Sequence, residues 1–293
     1  MLDWLQRMNG AISHIENNLT SEIKYEELSK IVCCSIYHFQ KMFSFLTDVP
    51  LSEYIRRRRL TQAAYELRNS NIKVIDLAYK YGYESPDSFT RAFQKLHGVT
   101  PTLARDLGVI LKAYPRMSFH ISIKGDVEMN YKIEDKNSFS VVGRKLRVST
   151  INGENNSIIP KFWDKCDSNG VTDKICKLSR RIEDKQTGMN LLGICVDVGV
   201  PNEFDYWIGI ETESDTVSSE FENIQIPSAT WAIFEVVGPM PSAIQNMWKR
   251  IFTEFFPESG YERSNLPDLE LYPPGDSNSP NFKTEIWVPI IKK

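Results

Sequence analysis

The chain has 293 residues, of which 41% are hydrophobic and 25% charged, and its formal net charge is −3. This length exceeds what one hydrophobic core usually organises, so two domains are expected. No apolar run approaches the roughly 20 residues of a membrane-spanning helix, and the N-terminal segment lacks the apolar part of a signal peptide. The sequence therefore predicts a cytoplasmic protein without membrane contact.

Charge is distributed unevenly, and the cysteines are scattered. Residues 1–116 contain 16 Lys and Arg against 12 Asp and Glu, whereas the remainder contains 19 against 26. A polyanionic partner is therefore compatible with the first part only. The five cysteines form neither a CxxC pair nor a Cys/His ligand spacing, which indicates reduced thiols. We expect no metal and no cofactor.

The first 107 residues show apolar residues at helical spacing and contain an internal repeat. The segment EELSKIVCCSIYHFQKMFSFLTDVP matches VIDLAYKYGYESPDSFTRAFQKLHGVTP. At a distance of 50 residues, Ser35 pairs with Ser85, Phe39 with Phe89 and Phe43 with Phe93. Gly82 supplies a turn, Ser85 is a natural N-cap and Gly98 ends the last helix. Each copy therefore predicts a short helix, a tight turn and a second helix, which is the helix-turn-helix arrangement.

The repeated aromatic residues are expected to face inward, which leaves the polar residues between them on the outside. The predicted DNA-binding residues are Ser35, Tyr37, Gln40 and Lys41 in the first copy, and Asp87, Ser88, Thr90, Arg91 and Lys95 in the second. Gln and Arg can contact base edges, whereas Lys, Ser and Thr suit phosphates. Periodicity alone favours DNA binding no more than an ordinary helical bundle with a polar surface.

Two segments, LSKIVCCSIYHFQKMF and VIDLAYKYGYESPDSFTRAFQKLHGVTPTLAR, resemble the tandem helix-turn-helix domain of AraC/XylS-type transcription regulators. The resemblance covers about the first 108 residues. In the second copy the matched positions are Ile75, Ala78, Gly82, Tyr83, Ser85, Phe89, Arg91, Phe93, Gln94, Gly98, Thr100 and Pro101. It implies base contacts from Tyr37, Gln40 and Lys41, and from Asp87, Ser88 and Arg91. The DNA-binding half comes first here, as in the Rob-like subgroup.

From about Ala113 the pattern changes to β-branched alternation. The predicted strands are 127–133, 139–148, 191–198, 205–211, 229–237, 268–272 and 284–290, with helices at about 158–169 and after Pro241. From 139 onward the order strand, helix, strand, strand occurs twice, which indicates a duplicated βαββ unit. No GxGxxG, P-loop, GxSxG or HExxH motif is present.

Aromatic residues and one carboxylate stand out in the predicted strands of this second half. Alternation places Glu285 and Trp287 on one sheet face, and Trp207 shares a face with Glu211. A cleft lined by Glu285, Trp287 and Trp207 would attract a cation. The alternative is that the tryptophans form core and that Glu285 faces solvent.

The segment from IPSATWAIFEVVGPMP to TEIWVPI resembles the GyrI-like small-molecule-binding domain of Rob-like and MerR-type multidrug regulators. The matched residues include Trp231, Trp248, Glu270, Tyr272 and Glu285. The resemblance implies a pocket with a glutamate at Glu285 that meets cationic, lipophilic compounds. The predicted ligand-binding residues are Glu285, Trp287, Trp207, Trp231 and Tyr272.

The sequence thus predicts an α+β protein with an all-α tandem helix-turn-helix domain at 1–108, a linker at 109–124 and a GyrI-like domain at 125–293. The favoured function is a transcription regulator that binds double-stranded promoter DNA and answers to a hydrophobic or cationic effector, with RNA polymerase as a further partner. We do not expect an enzyme. The alternatives are a hydrolase that uses a pocket glutamate, and a protein that only sequesters its ligand.

Overall fold

The computed structural model describes residues 2–119, 128–151, 154–178, 186–188, 190–213 and 220–292. The described residues form two compact units that alternate along the chain. The helical unit comprises residues 2–33 and 49–119, and the sheet unit comprises residues 34–48 and those from 128 onward. Residues 34–48, which the sequence assigns to the first domain, thus belong to the sheet unit. Part of the predicted linker, residues 120–124, lies outside the described residues.

The helical unit contains five α-helices within its described residues. They are α1 (Leu2–Asn17), α2 (Tyr25–Val32), α4 (Leu51–Asn69), α5 (Val74–Lys80) and α6 (Pro86–His97). The core of α4, α5 and α6 is formed by buried apolar residues at helical spacing, among them Leu60, Leu67, Leu77, Phe89 and Phe93. The inward orientation predicted for Phe89 and Phe93 is confirmed, because neither side chain is exposed.

The second helix-turn-helix has the caps that the sequence predicts. Gly82 adopts a φ of 76° in the turn between α5 and α6, where a side chain would be strained. The hydroxyl of Ser85 accepts a hydrogen bond from the N–H of Ser88 at 3.2 Å, which satisfies a donor at the start of α6. Gly98 ends α6 in the left-handed region and donates its N–H to the carbonyl of Gln94. Local sequence therefore determines where this helix begins and ends.

The sheet unit contains nine strands in one sheet within its described residues. They are β1 (Tyr131–Lys136), β2 (Phe139–Ser149), β3 (Leu191–Asp197), β4 (Glu203–Thr212), β5 (Glu222–Ile226), β6 (Ala229–Val237), β7 (Tyr261–Arg263), β8 (Asp268–Tyr272) and β9 (Lys283–Lys292). The order is β1-β6-β9-β8-β3-β4-β2-β5, with β7 paired to β9, and all pairs are antiparallel. The helices of the unit are α3 (Ile36–Thr47), α7 (Asn155–Ser168), α8 (Val171–Leu178), α9 (Ser242–Arg250) and α10 (Phe256–Glu258), with a π-helical turn at Ile251–Phe255.

The duplicated βαββ pattern is confirmed. The first copy runs β2, α7–α8, β3, β4, and the second runs β6, α9, β8, β9. Four elements were not predicted, namely β5, β7, α8 and the three-residue α10. β7 has only three residues and β5 only five, so each is too short to give a clear periodic signal. A turn with Gly170 at a φ of 65° separates α8 from α7.

The two faces of the sheet carry different aromatic side chains. Trp207 pairs with Ile194, and Trp287 with Leu269, so alternation places these residues on one face. This face, which we call the tryptophan face, forms an apolar cluster with Trp231. The opposite face carries Tyr206, and α7, α8 and α3 contribute side chains to its cluster.

Candidate functional site

Glu270 is a carboxylate surrounded by aromatic side chains on the face opposite the tryptophan face. It is the middle residue of β8 and is partly exposed. Its oxygens accept hydrogen bonds from the indole N–H of Trp248 at 2.8 Å and from the hydroxyl of Tyr272 at 2.9 Å. Both donors are neutral, and no described lysine or arginine forms an ion pair with Glu270. The carboxylate is therefore stabilised by hydrogen bonds and makes no direct ion pair among these residues, although the charge of Lys41 interacts with it electrostatically.

Trp163 of α7 and Tyr206 of β4 extend this aromatic surface. The indole N–H of Trp163 donates to the hydroxyl oxygen of Tyr206 at 2.9 Å, and the Trp163 and Tyr272 rings meet edge to face at 5.1 Å. Gly193 of β3 lies beneath them, and any side chain there would overlap the hydroxyl of Tyr206 and approach Glu270. Burial raises the pKa of Tyr206 and of Tyr272 well above the usual value, so both hydroxyls stay neutral.

We call the set Glu270, Trp248, Tyr272, Trp163 and Tyr206 the aromatic site. Its members come from β8, α9, α7 and β4, and the two βαββ copies both contribute. Trp248 is almost fully buried at 1% exposure, whereas Trp163, Tyr272 and Glu270 are partly exposed. The site therefore combines aromatic rings with one acceptor of negative charge, which suits a lipophilic cation.

A buried ion cluster adjoins the aromatic site, centred on Asp268 of β8. One Asp268 oxygen accepts hydrogen bonds from Arg263 Nε at 2.9 Å and Nη2 at 2.6 Å, and the other accepts from Lys41 Nζ at 3.1 Å. Asp268 is 1% exposed. Burial alone would raise its pKa, but Arg263 and then Lys41 lower the pKa to about 2.

Lys41 of α3 joins the ion cluster to the aromatic site. Its Nζ lies 4.0 Å from the centre of the Trp248 ring, and its side chain is 12% exposed. Burial acts to lower the pKa of Lys41, but the charges of Asp268 and Glu270 are among those that outweigh it and raise the pKa. The ammonium therefore stays charged between a carboxylate and an aromatic face.

Two aromatic residues of α3 lie on the same helix face as Lys41. The Tyr37 ring is 4.9 Å from that of Phe204, and Phe45 stacks on Trp248 at 5.9 Å. Tyr37, Lys41 and Phe45 follow one another at intervals of four residues, so they share a helix face.

Gln40 lies beside this stripe and adds two polar contacts. Its amide nitrogen donates to Asn202 Oδ1 at 2.5 Å, and its oxygen accepts from the Thr150 hydroxyl at 3.3 Å. We call Tyr37, Gln40, Lys41 and Phe45 the docked face of α3.

Comparison with known families matches both parts of the chain. A GyrI-like small molecule binding domain is matched at residues 129–291, which is more than half of the chain, and a helix-turn-helix domain at residues 28–106. The transcriptional activator AarP of Providencia stuartii is 40% identical over 91 residues, which cover 31% of this chain and 67% of AarP. The multiple antibiotic resistance protein MarA of Escherichia coli is 37% identical over 94 residues, which cover 32% of this chain and 74% of MarA.

The chain belongs to the AraC-type transcription regulators with a GyrI-like domain. This AraC-type regulator is similar in fold to a putative bacterial transcription regulation protein from Staphylococcus aureus, known from a crystal structure. The matched region covers 56% of this chain and 99% of that protein, at 22% identity and a TM-score of 0.47. The sequence-based assignment of fold and family is confirmed.

The predicted DNA-binding residues of α6 have exposed or partly exposed side chains. Asp87, Arg91 and Lys95 are exposed, and Ser88 and Thr90 are partly exposed. Within the described part of the chain, Arg91 makes one long contact of 3.4 Å, to the backbone oxygen of Asp87. The predicted exposure of this helix face is confirmed, and base contacts from it stay a prediction.

The exposure predicted for the corresponding face of α3 is wrong for three residues in this structure. Tyr37 is 2% and Gln40 4% exposed, and Lys41 is held in the ion cluster. Ser35 caps the helix by accepting from the His38 N–H, and its own N–H donates to Asn265 Oδ1 at 3.4 Å. Periodicity placed these residues on one face, but it could not show that the face packs on side chains more than 100 positions away. Their DNA-binding role stays a prediction.

Four of the five predicted ligand-binding residues lie on the tryptophan face, away from Glu270. Trp207 is 5%, Trp231 0% and Trp287 2% exposed, because all three pack into the apolar cluster. Glu285 accepts a hydrogen bond from the Trp287 indole at 2.6 Å. Only Tyr272 belongs to the aromatic site. A ligand role for the other four stays a prediction.

Sequence reasoning missed Glu270, Trp248, Trp163, Tyr206 and Asp268 as site residues. One signal was available, because alternation in DLELY puts Asp268, Glu270 and Tyr272 on one face. Trp248 and Glu270 are also among the residues matched by the GyrI-like resemblance, but that match did not mark them as ligand contacts. Neither pattern shows that α9 brings its indole to β8.

Two other kinds of site are absent from the described residues. No group of three or more His, Cys, Asp or Glu side chains there could hold a metal ion. Within the same residues, no helix is both long and apolar enough to cross a membrane.

Proposed function

We propose that this regulator binds promoter DNA through its two helix-turn-helix units and binds a lipophilic organic cation at the aromatic site, which changes its DNA binding. The observation that supports the effector class is Glu270, a partly exposed carboxylate whose hydrogen-bond donors are neutral. A cytoplasmic location and contact with RNA polymerase are part of the proposal. The relative AarP of Providencia stuartii is named as a transcriptional activator, which supports contact with RNA polymerase.

A cation is favoured over a neutral effector for an energetic reason. A neutral ligand that covers Glu270 would remove water from the carboxylate without replacing its stabilisation, which is costly. An organic cation would neutralise the charge and gain about 0.5–2 kcal/mol from each well-placed aromatic face. The partly exposed rings of Trp163 and Tyr272 are the candidate faces, whereas the ring of Trp248 is covered by Lys41 and Phe45 in this structure.

The substitution Glu270→Gln should weaken binding of tetraphenylphosphonium by about tenfold to a hundredfold, since it removes the charge and keeps the shape. Binding is measured by titration calorimetry on the full chain, with neutral triphenylphosphine oxide as the ligand control. The matched protein control is Glu285→Gln, which should bind like the wild type because Glu285 lies on the tryptophan face. If Glu285→Gln weakened binding and Glu270→Gln did not, the ligand would bind at the residues first predicted from the sequence.

The substitution Arg91→Ala should weaken binding to the selected operator by about 1–3 kcal/mol if Arg91 contacts a base edge. Arg91 is exposed on α6 and makes one long contact among the described residues, so the folded state should tolerate the change. The operator is selected from random duplexes with the full chain, and affinity is read by gel shift. Arg144→Ala removes a charge from an exposed residue of β2 and serves as the control. Equal losses in both variants would indicate a general charge effect.

We further propose that the chain is not an enzyme, which the assignment of its relatives to transcription regulation supports. The alternative is hydrolysis with Glu270 or Glu285 as general base. Turnover of hydrophobic esters or epoxides that is abolished in either glutamine variant would establish the alternative.

A third possibility is that the protein only sequesters its ligand. Ligand binding that leaves operator affinity unchanged would indicate this.

A further inference from the structure

Lys41 stands where an organic cation would be expected to bind. Its ammonium is in cation–π distance of Trp248 and pairs with Asp268, and its aliphatic stem is buried. Phe45, one turn further along α3, covers the same indole. A charged head on an apolar stem beside an aromatic ring has the chemistry of a lipophilic amine.

We propose that Lys41 is a tethered cation that competes with the effector for the aromatic site, so that effector binding releases α3 from the sheet unit. The inference rests on the proposed effector site and adds how that site is regulated. The competing groups are the lysine ammonium and the effector cation, and the shared partner is Trp248 beside Glu270 and Asp268.

Release of Lys41 does not leave a buried charge without a partner. Arg263 donates twice to one oxygen of Asp268, whereas Lys41 uses the other oxygen. Asp268 therefore keeps a charge-assisted pair after α3 leaves, and the severe penalty of an uncompensated buried ion is avoided. The lysine itself regains hydration.

The other contacts of the docked face can also be exchanged. Gln40 bonds to a side-chain amide and to a hydroxyl, Asn202 and Thr150, and water can replace both at modest net cost. Tyr37 and Phe45 lose aromatic contacts with Phe204 and Trp248. A ligand that covers Trp248 would compensate part of that loss.

The docked face contains the residues predicted to read DNA, and one surface cannot contact the sheet unit and a major groove at once. Tyr37 and Gln40 are almost fully buried in the docked state. An effector that binds only the released state shifts the population toward it, because it has different affinities for the two states. The effector should therefore increase DNA binding through α3.

The first test measures the accessibility of Lys41 by acetylation with an amine-reactive ester, followed by mass spectrometry of the full chain. In the free protein Lys41 should react slowly, and saturating tetraphenylphosphonium should raise its rate at least about fivefold, according to the fraction released. Lys95, exposed on α6, should react at the same rate with and without the cation. Saturation of the protein with an unchanged Lys41 rate would overturn the proposal.

The second test compares cation affinity in two variants that weaken docking. Lys41→Met removes the tethered charge and should raise tetraphenylphosphonium affinity about tenfold if the docked form dominates by that factor. Gln40→Ala loses contacts to Asn202 and Thr150 and should raise it about fivefold. Lys177→Met, on an exposed residue of α8, is the control and should leave affinity unchanged.

The outcomes separate the two levels of the proposal. If tetraphenylphosphonium affinity depends on Glu270 but is the same in wild type, Lys41→Met and Gln40→Ala, the proposed effector site stands and the competition with Lys41 is overturned. Binding by the variants but not by wild type supports strong competition. Binding by none of the proteins overturns the effector site and the competition with it. Circular dichroism confirms that each variant is folded.

Discussion

The substitution Asp268→Asn should lower the free energy of unfolding of the sheet unit by about 3–5 kcal/mol, because it breaks a buried ion cluster by removing one partner. Asp268 is 1% exposed and Arg263 8%, and Arg263 would lose its only carboxylate in the cluster. Urea unfolding followed by tryptophan fluorescence measures the effect. Five of the six tryptophans, namely Trp163, Trp207, Trp231, Trp248 and Trp287, lie in this unit.

Asp164→Asn is the matched control for this substitution. Asp164 is exposed on α7, and such surface changes usually stay within about 0.5 kcal/mol. A loss of similar size in both variants would mean that the asparagine side chain itself, and not the ion cluster, is responsible.

The stability that Asp268 provides should disappear in acid. Its pKa is about 2 in the folded protein, lowered by Arg263, Lys41 and His38 against the effect of burial, whereas an unfolded aspartate titrates near 3.9. A lowered folded pKa gives stability that is complete above the unfolded value and is lost as the pH falls through the folded value. The difference between wild type and Asp268→Asn should therefore fall by about 1.3 kcal/mol between pH 7 and pH 3, which is half of the roughly 2.6 kcal/mol that the ionisation of Asp268 contributes. A difference that stays constant from pH 7 to pH 3 would contradict the ionised state of Asp268.

The sequence predicted elements best where local signals are strong. In α6, the N-cap Ser85, the C-terminal Gly98 and the buried Phe89 and Phe93 all follow from residues close in the chain. β6 was predicted at its observed bounds, Ala229–Val237, because its pattern is regular. Alternation also predicted correctly that Glu285 and Trp287 share a face of β9.

The choice of face could not be predicted from alternation. The pattern separates the two sides of a strand but does not show which side faces a core and which faces a ligand. Trp207, Trp231 and Trp287 are large and apolar, and they form an apolar cluster. Glu270 has partners from α9 and β8, and the contact to Trp248 spans 22 residues of sequence. Such a site becomes visible only when the tertiary contacts are known.

The position of α3 was the least predictable feature. Its polar face is compatible with water, with DNA or with another polar surface, and periodicity cannot distinguish them. Lys41 contacts Asp268 across 227 positions, and Gln40 contacts Asn202 across 162. These contacts connect the predicted DNA-reading residues with the candidate effector site, which is the basis for the competition proposed above.

The run of four arginines at 56–59 contains a buried member that the sequence alone did not single out. Arg58 donates to both oxygens of Glu16, from Nε at 2.8 Å and from Nη2 at 2.7 Å, and also to the carbonyl of Tyr114 at 2.5 Å. Tyr54 donates its hydroxyl to Glu16 at 2.7 Å. The Arg58 side chain is 7% and that of Glu16 10% exposed. This pair links α1, α4 and the segment that follows the second helix-turn-helix.

The substitution Glu16→Gln should therefore destabilise the helical unit by about 3–5 kcal/mol, because it leaves the Arg58 charge buried without a carboxylate. Hydrogen exchange of α4 amides, read by mass spectrometry, measures the change. Glu53→Gln is the matched control on the same run: Glu53 pairs with Arg56 and Arg57, whose side chains are each 31% exposed, and such pairs contribute at most about 1 kcal/mol. The double variant Glu16→Leu with Arg58→Met should lose less stability than Glu16→Gln, since it removes both charges together. If the double variant is the less stable of the two, the packing of these side chains outweighs their charges, and the ion-pair explanation fails.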